Sequence, residues 1–130
     1  MVDLQIPCCS HLPELNEERH NRLAAIFRLL GDEGRLKMVL SCIDEPQPVT
    51  KLAEIASMSQ PLASHHLKQL REARILKSAR HGKQILYALS DYHIRHVLLD
   101  LATHVLEFEA EGKGEAIADQ QGAEKKAGNA

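Results

Sequence analysis

The sequence predicts a mainly α-helical domain with one small β-hairpin, arranged as a winged helix-turn-helix. Apolar residues recur at intervals of three and four through most of the chain, and this period changes to two between Ile85 and Leu89. Aromatic residues make up only 3% of the 130 positions. The core must therefore be built from Leu, Ile, Val and Ala, which is typical of helical packing and disfavours a β-sandwich or a barrel.

We expect one domain between two unstructured ends. Pro7 and Pro13 interrupt any helical period, which predicts a flexible arm over residues 1–14. The folded domain is predicted over residues 15–111, and residues 112–130, which lack an apolar stripe, are predicted to be a disordered tail. No run of about 20 apolar residues and no signal-like start is present, so the sequence predicts a cytoplasmic protein without a membrane span.

Capping and turn residues set the expected limits of the first two helices. The first helix should begin near Leu15 and end at Gly31. Asp32 can cap the second helix, which Pro46 and Pro48 close.

The remaining elements are limited in the same way. Thr50 is expected to cap a short third helix, and Ser59 or Gln60 a fourth one that has a proline in its first turn. A turn at His81 and Gly82 then predicts the hairpin. A long last helix follows, with Ser90 or Asp91 as its cap.

Positive charge is concentrated in one segment, although the formal net charge is −2. Between His65 and Lys83 a single acid, Glu72, accompanies a series of basic residues: Lys68, Arg71, Arg74, Lys77, Arg80 and Lys83. A solvated helix face would explain this pattern as well. Its coincidence with a helix-turn-helix order favours a nucleic-acid interface.

The polar residues of the fourth helix fit the recognition of double-stranded DNA. Side chains able to reach base edges in the major groove stand at its start: Gln60, Ser64 and His65. Further basic residues on this helix and on the hairpin are expected to contact phosphates: Lys68, Arg71, Arg80 and Lys83. The alternative is that His65 and His66 are ordinary exposed or core-flanking residues.

The stretch Ser59-Gln-Pro-Leu-Ala-Ser-His-His-Leu-Lys-Gln-Leu-Arg-Glu-Ala73 closely resembles the ArsR/SmtB family of bacterial repressors. Phe27-Arg-Leu-Leu-Gly-Asp-Glu-Gly-Arg-Leu36 is similar to the entry of that family into its second helix. The resemblance runs from about Leu23 to Phe108. It implies a homodimer that forms through the first and last helices and binds operator DNA with an inverted repeat.

The last helix carries four residues of the types that bind metals: Asp91, His93, His104 and Glu107. His93 and His104 share a face, because eleven residues correspond to a rotation of about 1100°, but about 16 Å of rise separates them. One chain therefore cannot close the site. Two antiparallel copies of the helix, related by a two-fold axis near Leu98 and Leu99, would form two equivalent four-ligand sites.

Two imidazoles and two carboxylates suit tetrahedral Zn²⁺, with Co²⁺ and Ni²⁺ as alternatives. The resemblance also implies zinc, because the zinc-sensing branch of the family uses these positions. The alternative is that the four residues are only a polar stripe on an exposed helix with chance spacing. We assign no ligand role to His96 or Asp100. The resemblance also implies an allosteric relay, in which His104 donates a hydrogen bond to the backbone carbonyl of Arg74. Zinc is expected to weaken operator binding.

Two other functions stay open at this point. The first is a repressor of the same fold that senses arsenite, a soft metal or redox state through its three thiols: Cys8, Cys9 and Cys42. A second metal site found in many relatives is not expected, because Pro48 and Lys51 stand where its ligands would be. The second function is a zinc hydrolase, since His104-x-x-Glu107 resembles a metallopeptidase pair. Without an arranged general base, we expect no enzymatic activity.

Overall fold

The computed structural model describes residues 11–112, with side chains described for residues 11–109. Within this part the elements are α1 (Glu17–Leu30), α2 (Glu33–Ser41), β1 (Gln47–Pro48), α3 (Val49–Ile55), α4 (Gln60–Glu72), β2 (Leu76–His81), β3 (Gln84–Leu89) and α5 (Tyr92–Gly112). The predicted arm over 1–14 and the predicted tail over 112–130 lie mostly outside the described residues. None of the described helices combines the length and the apolar character that a membrane span requires.

Most of the predicted helix limits agree with the capping geometry. The carboxylate of Asp32 accepts a hydrogen bond from the backbone N–H of Arg35 at 3.0 Å, and Gly31 ends α1. At the start of α1, Asn16 accepts from the N–H of Arg19 at 2.8 Å. This cap explains why α1 begins at Glu17, later than the predicted start near Leu15.

The start of α3 differs from the prediction. Thr50 lies inside the first turn, and Pro48 occupies the capping position without a side-chain hydrogen bond. The reason is that Pro48 belongs to β1, where it pairs with Leu86, so the helix begins directly after the strand. For α4, the hydroxyl of Ser59 is the cap, accepting from the N–H of Leu62 at 3.3 Å.

The hairpin is part of a three-stranded antiparallel sheet with the order β1-β3-β2. Strands β2 and β3 pair from Leu76 with Leu89 to His81 with Gln84, and Gly82 takes a positive φ of 66° in the turn between them. The sequence did not predict β1. Two residues are too few to show an alternating pattern, and the pairing partner of β1 lies far along the chain.

The core is aliphatic, as predicted. The largest fully buried side chains are Met38, Val39, Leu52, Leu67, Leu70, Ile75 and Leu76. They come from α2, α3, α4 and the two residues at the entry to β2, so α4 is held between its neighbours. Each such side chain contributes roughly 1.5–3 kcal/mol to folding through burial.

An apolar surface remains exposed between α1, α2 and α5. It forms a depression of about 550 Å³, which we call the apolar groove, lined mainly by Phe27, Leu30, Leu36, Leu40, Val97, Leu101, Val105 and Leu106. Phe27 is 57% exposed and Leu106 is 66% exposed. A contiguous apolar surface of this kind is typical of a site that another molecule covers.

Candidate functional site

The start of α4 presents polar side chains to solvent. Ser59 and the proline that follows Gln60 fix this end of the helix, and Ala63, Leu67 and Leu70 anchor its other side in the core. Every α4 residue that the sequence predicts to contact DNA is exposed: Gln60, Ser64, His65, Lys68 and Arg71. The helix therefore offers the donors and acceptors that a major-groove contact requires.

Arg71 also connects α4 with the hairpin. Its guanidinium donates a hydrogen bond to the hydroxyl of Ser78 on β2 at 3.3 Å. The sequence predicts a phosphate contact for Arg71 but gives no sign of Ser78 as its partner. The bond holds the cation between the helix and the hairpin, where it can still face a phosphate.

The hairpin, which we call the wing, carries no acidic residue in either strand. Arg80 and Lys83 are exposed on either side of the turn glycine, and Lys77 is exposed nearer the core. A surface with cations and without carboxylates attracts the DNA backbone in a sequence-independent way. The structure thus places both predicted wing residues where phosphate contacts are feasible.

The two adjacent histidines of α4 have different environments. His65 is exposed, whereas His66 is half-buried. The Nδ1 atom of His66 lies 3.3 Å from Nη1 of Arg35 on α2. The core-flanking alternative therefore describes His66, while His65 keeps the geometry of a base-contacting residue.

The structure brings the first two predicted metal ligands together at the start of α5. Nδ1 of His93 lies 3.7 Å from Oδ1 of Asp91. The same Oδ1 accepts a hydrogen bond from the N–H of Ile94 at 3.1 Å, so Asp91 is also the helix cap. The ring of Tyr92 stacks on that of His93 with 4.3 Å between centroids. Oδ2 of Asp91 and the imidazole of His93 suit a zinc ion in their chemistry.

The other two predicted ligands, His104 and Glu107, are exposed further along α5. Among the described residues of one chain, no three side chains of the metal-binding types come together. The structure thus unites Asp91 with His93 and does not add His104 and Glu107 to them. The site formed by two chains stays a prediction.

Arg74, the predicted relay residue, lies just after α4 and has a positive φ of 61°. Its backbone carbonyl accepts a hydrogen bond from the hydroxyl of Ser90, and the N–H of Ser90 donates to the carbonyl of Ile75 at 3.0 Å. The sequence identified Ser90 only as a candidate cap of α5. In the structure it joins the residues that follow α4 to the start of α5, because Asp91 is the next residue.

Of the three cysteines, only Cys42 lies within the described residues. It is 3% exposed, and burial raises the pKa of its thiol from 9.0 to about 11, although a hydrogen bond with Ser41 acts in the opposite direction. The group is therefore a neutral thiol at neutral pH, which is the poorer form for binding a soft metal. Cys8 and Cys9 lie outside the described residues.

A capped α4 with an exposed polar face, followed by a basic wing, defines a protein of the winged helix-turn-helix class. The family model for bacterial regulatory proteins of the arsR family matches residues 32–78. The transcriptional regulator KmtR from Mycobacterium tuberculosis is 35% identical over 71% of this chain and 67% of its own length. This chain belongs to the arsR family. The predicted winged helix-turn-helix fold and the resemblance to the family are confirmed, and these relatives are named as transcriptional regulators.

Two further relatives from the same organism are similar in part. The transcriptional repressor SmtB is 34% identical over 61% of this chain, and the match spans only 58% of SmtB. The solution structure of the cadmium metal-sensor CMTR has a TM-score of 0.52 and 28% identity, covering 62% of this chain and 81% of CMTR.

Proposed function

We propose that this protein is a homodimeric, metal-responsive transcriptional repressor that binds operator DNA with an inverted repeat. One observation carries the proposal: the exposed polar face of α4 adjoins the wing, through the bond from Arg71 to Ser78, and the strands of the wing have no carboxylates. Membership of the arsR family and the name of the repressor SmtB support it. The cytoplasmic location remains a prediction.

The DNA interface divides by chemistry. Residues at the start of α4 would read base edges, since short or planar polar groups fit the major groove: Gln60, Ser64 and His65. Cations further along α4 and on the wing would position the duplex through its phosphates: Lys68, Arg71, Arg80 and Lys83. A single unit of this size reads one half-site, so a palindromic operator requires two copies.

The apolar groove is where we place the second copy. Side chains from both α1 and α5 line it, including Phe27, Leu101 and Val105. Covering them removes apolar surface from water at roughly 25 cal/mol per Å². This arrangement agrees with the predicted dimer of first and last helices, and it places two α5 helices next to each other.

The metal ligands would then come from both chains. Asp91 and His93 of one chain would bind the ion together with the partner's His104 and Glu107. A bound ion supplies a cross-link between the two last helices. The uncommitted oxygen of Asp91, the nearby His93 and the absence of a thiolate from the four-residue set favour Zn²⁺, with Co²⁺ and Ni²⁺ as alternatives. The cadmium-sensor relative supports a metal ligand in general.

Ser90 provides a direct connection between this site and α4. It lies next to Asp91 and bonds to the carbonyls of Arg74 and Ile75. A carbonyl oxygen accepts two hydrogen bonds, so the predicted bond to Arg74 is compatible with it when the donor is the partner's His104, which the shared site brings to this end of α5. An ion that favours one arrangement of α5 therefore changes the angle of α4, and operator DNA must weaken metal binding by the same factor.

The test begins with a pool of randomised duplexes. The purified full chain is used to select from this pool, and binding of the recovered duplex is measured by fluorescence anisotropy with and without ZnCl₂. We expect an inverted repeat and an affinity that zinc lowers by roughly five- to 150-fold, the range of a typical allosteric coupling. Recovery of no preferred sequence would contradict the DNA-binding proposal. A recovered duplex whose affinity zinc leaves unchanged would contradict the metal proposal.

The thiol-sensing alternative is separated by replacing Cys8, Cys9 and Cys42 with serine. Because Cys42 is buried and its pKa is raised, we expect the zinc response to be unchanged in this variant. Operator release by arsenite in the native chain, together with its loss in the variant, would favour the alternative.

A further inference from the structure

One arginine joins three helices of the described structure. Arg35, half-buried near the start of α2, donates from Nε to the backbone carbonyl of Leu29 at 2.8 Å. Its Nη1 lies 3.3 Å from Nδ1 of His66 on α4. A single guanidinium therefore connects the last turn of α1 with the middle of the recognition helix.

The chemistry of the two groups fixes their roles. A guanidinium has only donors, so Nδ1 of His66 must be the acceptor and the proton of the neutral ring must reside on Nε2. The carbonyl of Leu29 is in the last turn of α1, where carbonyls lack partners within the helix. Arg35 thus satisfies one orphan carbonyl and one ring nitrogen in a half-buried region.

No carboxylate lies within ion-pair distance of the Arg35 guanidinium among the residues that the structure describes. Its neighbour Lys37 differs, since Nζ of Lys37 pairs with Glu33 on the surface at 3.2 Å. The side chain of Arg35 is therefore committed to the contact between helices rather than to a local ion pair.

Both ends of this contact lie beside predicted functional surfaces. Leu29 precedes Leu30, which lines the apolar groove, and His66 follows the predicted base-contacting residues Ser64 and His65. We propose that Arg35, through His66, is a positioning residue that sets the recognition helix relative to α1 and thereby controls operator affinity. This inference rests on the proposed DNA-binding function.

The test is a double-mutant cycle with Arg35→Met, His66→Leu and the double variant, measured by anisotropy on the operator duplex that the native chain selects. Each single change should weaken binding on the order of tenfold. The double variant should be no weaker than Arg35→Met alone, because Arg35→Met already removes both the contact with His66 and the bond to Leu29. His66→Gln retains an acceptor and should recover most of the affinity. Lys37→Met, on the same helix, is the matched control and should bind as the native chain does.

The outcomes separate the two proposals. If the native chain binds no duplex, the proposed function fails and this inference fails with it. If the native chain binds and folded Arg35→Met or His66→Leu variants bind equally well, only the positioning role is overturned. Should these variants not fold, the positioning role is tested by the operator affinity of His66→Gln, which should stay near that of the native chain, and by the ¹⁵N spectrum of the native His66 ring. Protonation of Nε2 with a hydrogen-bonded Nδ1 supports the contact, and the opposite tautomer overturns it.

Discussion

The hydroxyl of Ser90 donates a hydrogen bond to the backbone carbonyl of Arg74, where the recognition segment ends. The next residue, Asp91, caps α5 and lies beside His93. The end of the proposed DNA-reading segment and the start of the proposed metal site are therefore neighbours within one chain. A change at either one has a short path to the other.

Ser90→Ala should reduce the effect of zinc on operator affinity. The substitution removes the hydroxyl donor and leaves the four predicted ligands unchanged, so we expect the free protein to keep its native zinc affinity. The allosteric ratio, which is the factor by which bound DNA lowers zinc affinity, should fall by about fivefold, or roughly 1 kcal/mol. Zinc titrations of the free and DNA-bound variant measure this ratio. Ser90→Thr keeps a hydroxyl and serves as the control. An undiminished ratio in the alanine variant would show that the path lies elsewhere.

His104→Ala should preserve operator affinity and abolish zinc-dependent release. His104 is exposed on α5, an element to which we assign no DNA contact, so we expect its loss to affect only the ligand set and the predicted relay to Arg74. Anisotropy with added ZnCl₂ measures the release. His96→Ala, which removes an exposed imidazole of the same helix, should release normally. Normal release by the His104 variant would count against its assignment.

Lys83→Ala should weaken binding to every duplex by a similar factor. Lys83 is exposed at the tip of the wing, where we expect its cation to contact phosphate rather than bases. The slope of log affinity against log salt concentration should become shallower by about one. Lys37→Ala, which removes a charge from α2, should leave the slope unchanged. A change in sequence preference with an unaltered slope would argue that the wing reads bases.

The stability of the native chain should decrease relative to Cys42→Ala at alkaline pH. The pKa of Cys42 is raised from 9.0 to about 11 by burial, so both states hold a neutral thiol below pH 9. Above that value the unfolded chain ionises first, and the contribution of the thiol is lost as the pH approaches 11. Denaturant unfolding of both proteins across this range measures the difference. A constant difference would mean that the folded thiol ionises normally.

Local features of the fold were predictable because their causes are local. Asp32 and Ser59 cap helices through residues three positions away, and Gly82 needs only its own turn. The contact of Arg35 with His66 spans 31 positions, which no periodicity in the sequence reveals.

The same distinction applies to the candidate site. Helical spacing predicted that His93 and His104 share a face, and it predicted the neighbourhood of Asp91 and His93. The bond between Ser90 and Arg74 depends on how α5 packs after the sheet, 16 positions further along the chain, so it emerged only from the structure.

Subunit complementation tests the central claim that the metal site is shared between chains. His93→Ala and His104→Ala chains are mixed, and the mixed dimer is isolated with distinguishable affinity tags. A shared site predicts one intact four-ligand centre per mixed dimer, formed by His93 of one chain and His104 of the other, and none in either parent dimer. Cobalt spectra that show one tetrahedral centre only in the mixed dimer would confirm the claim. A mixed dimer that binds no better than its parents would contradict it.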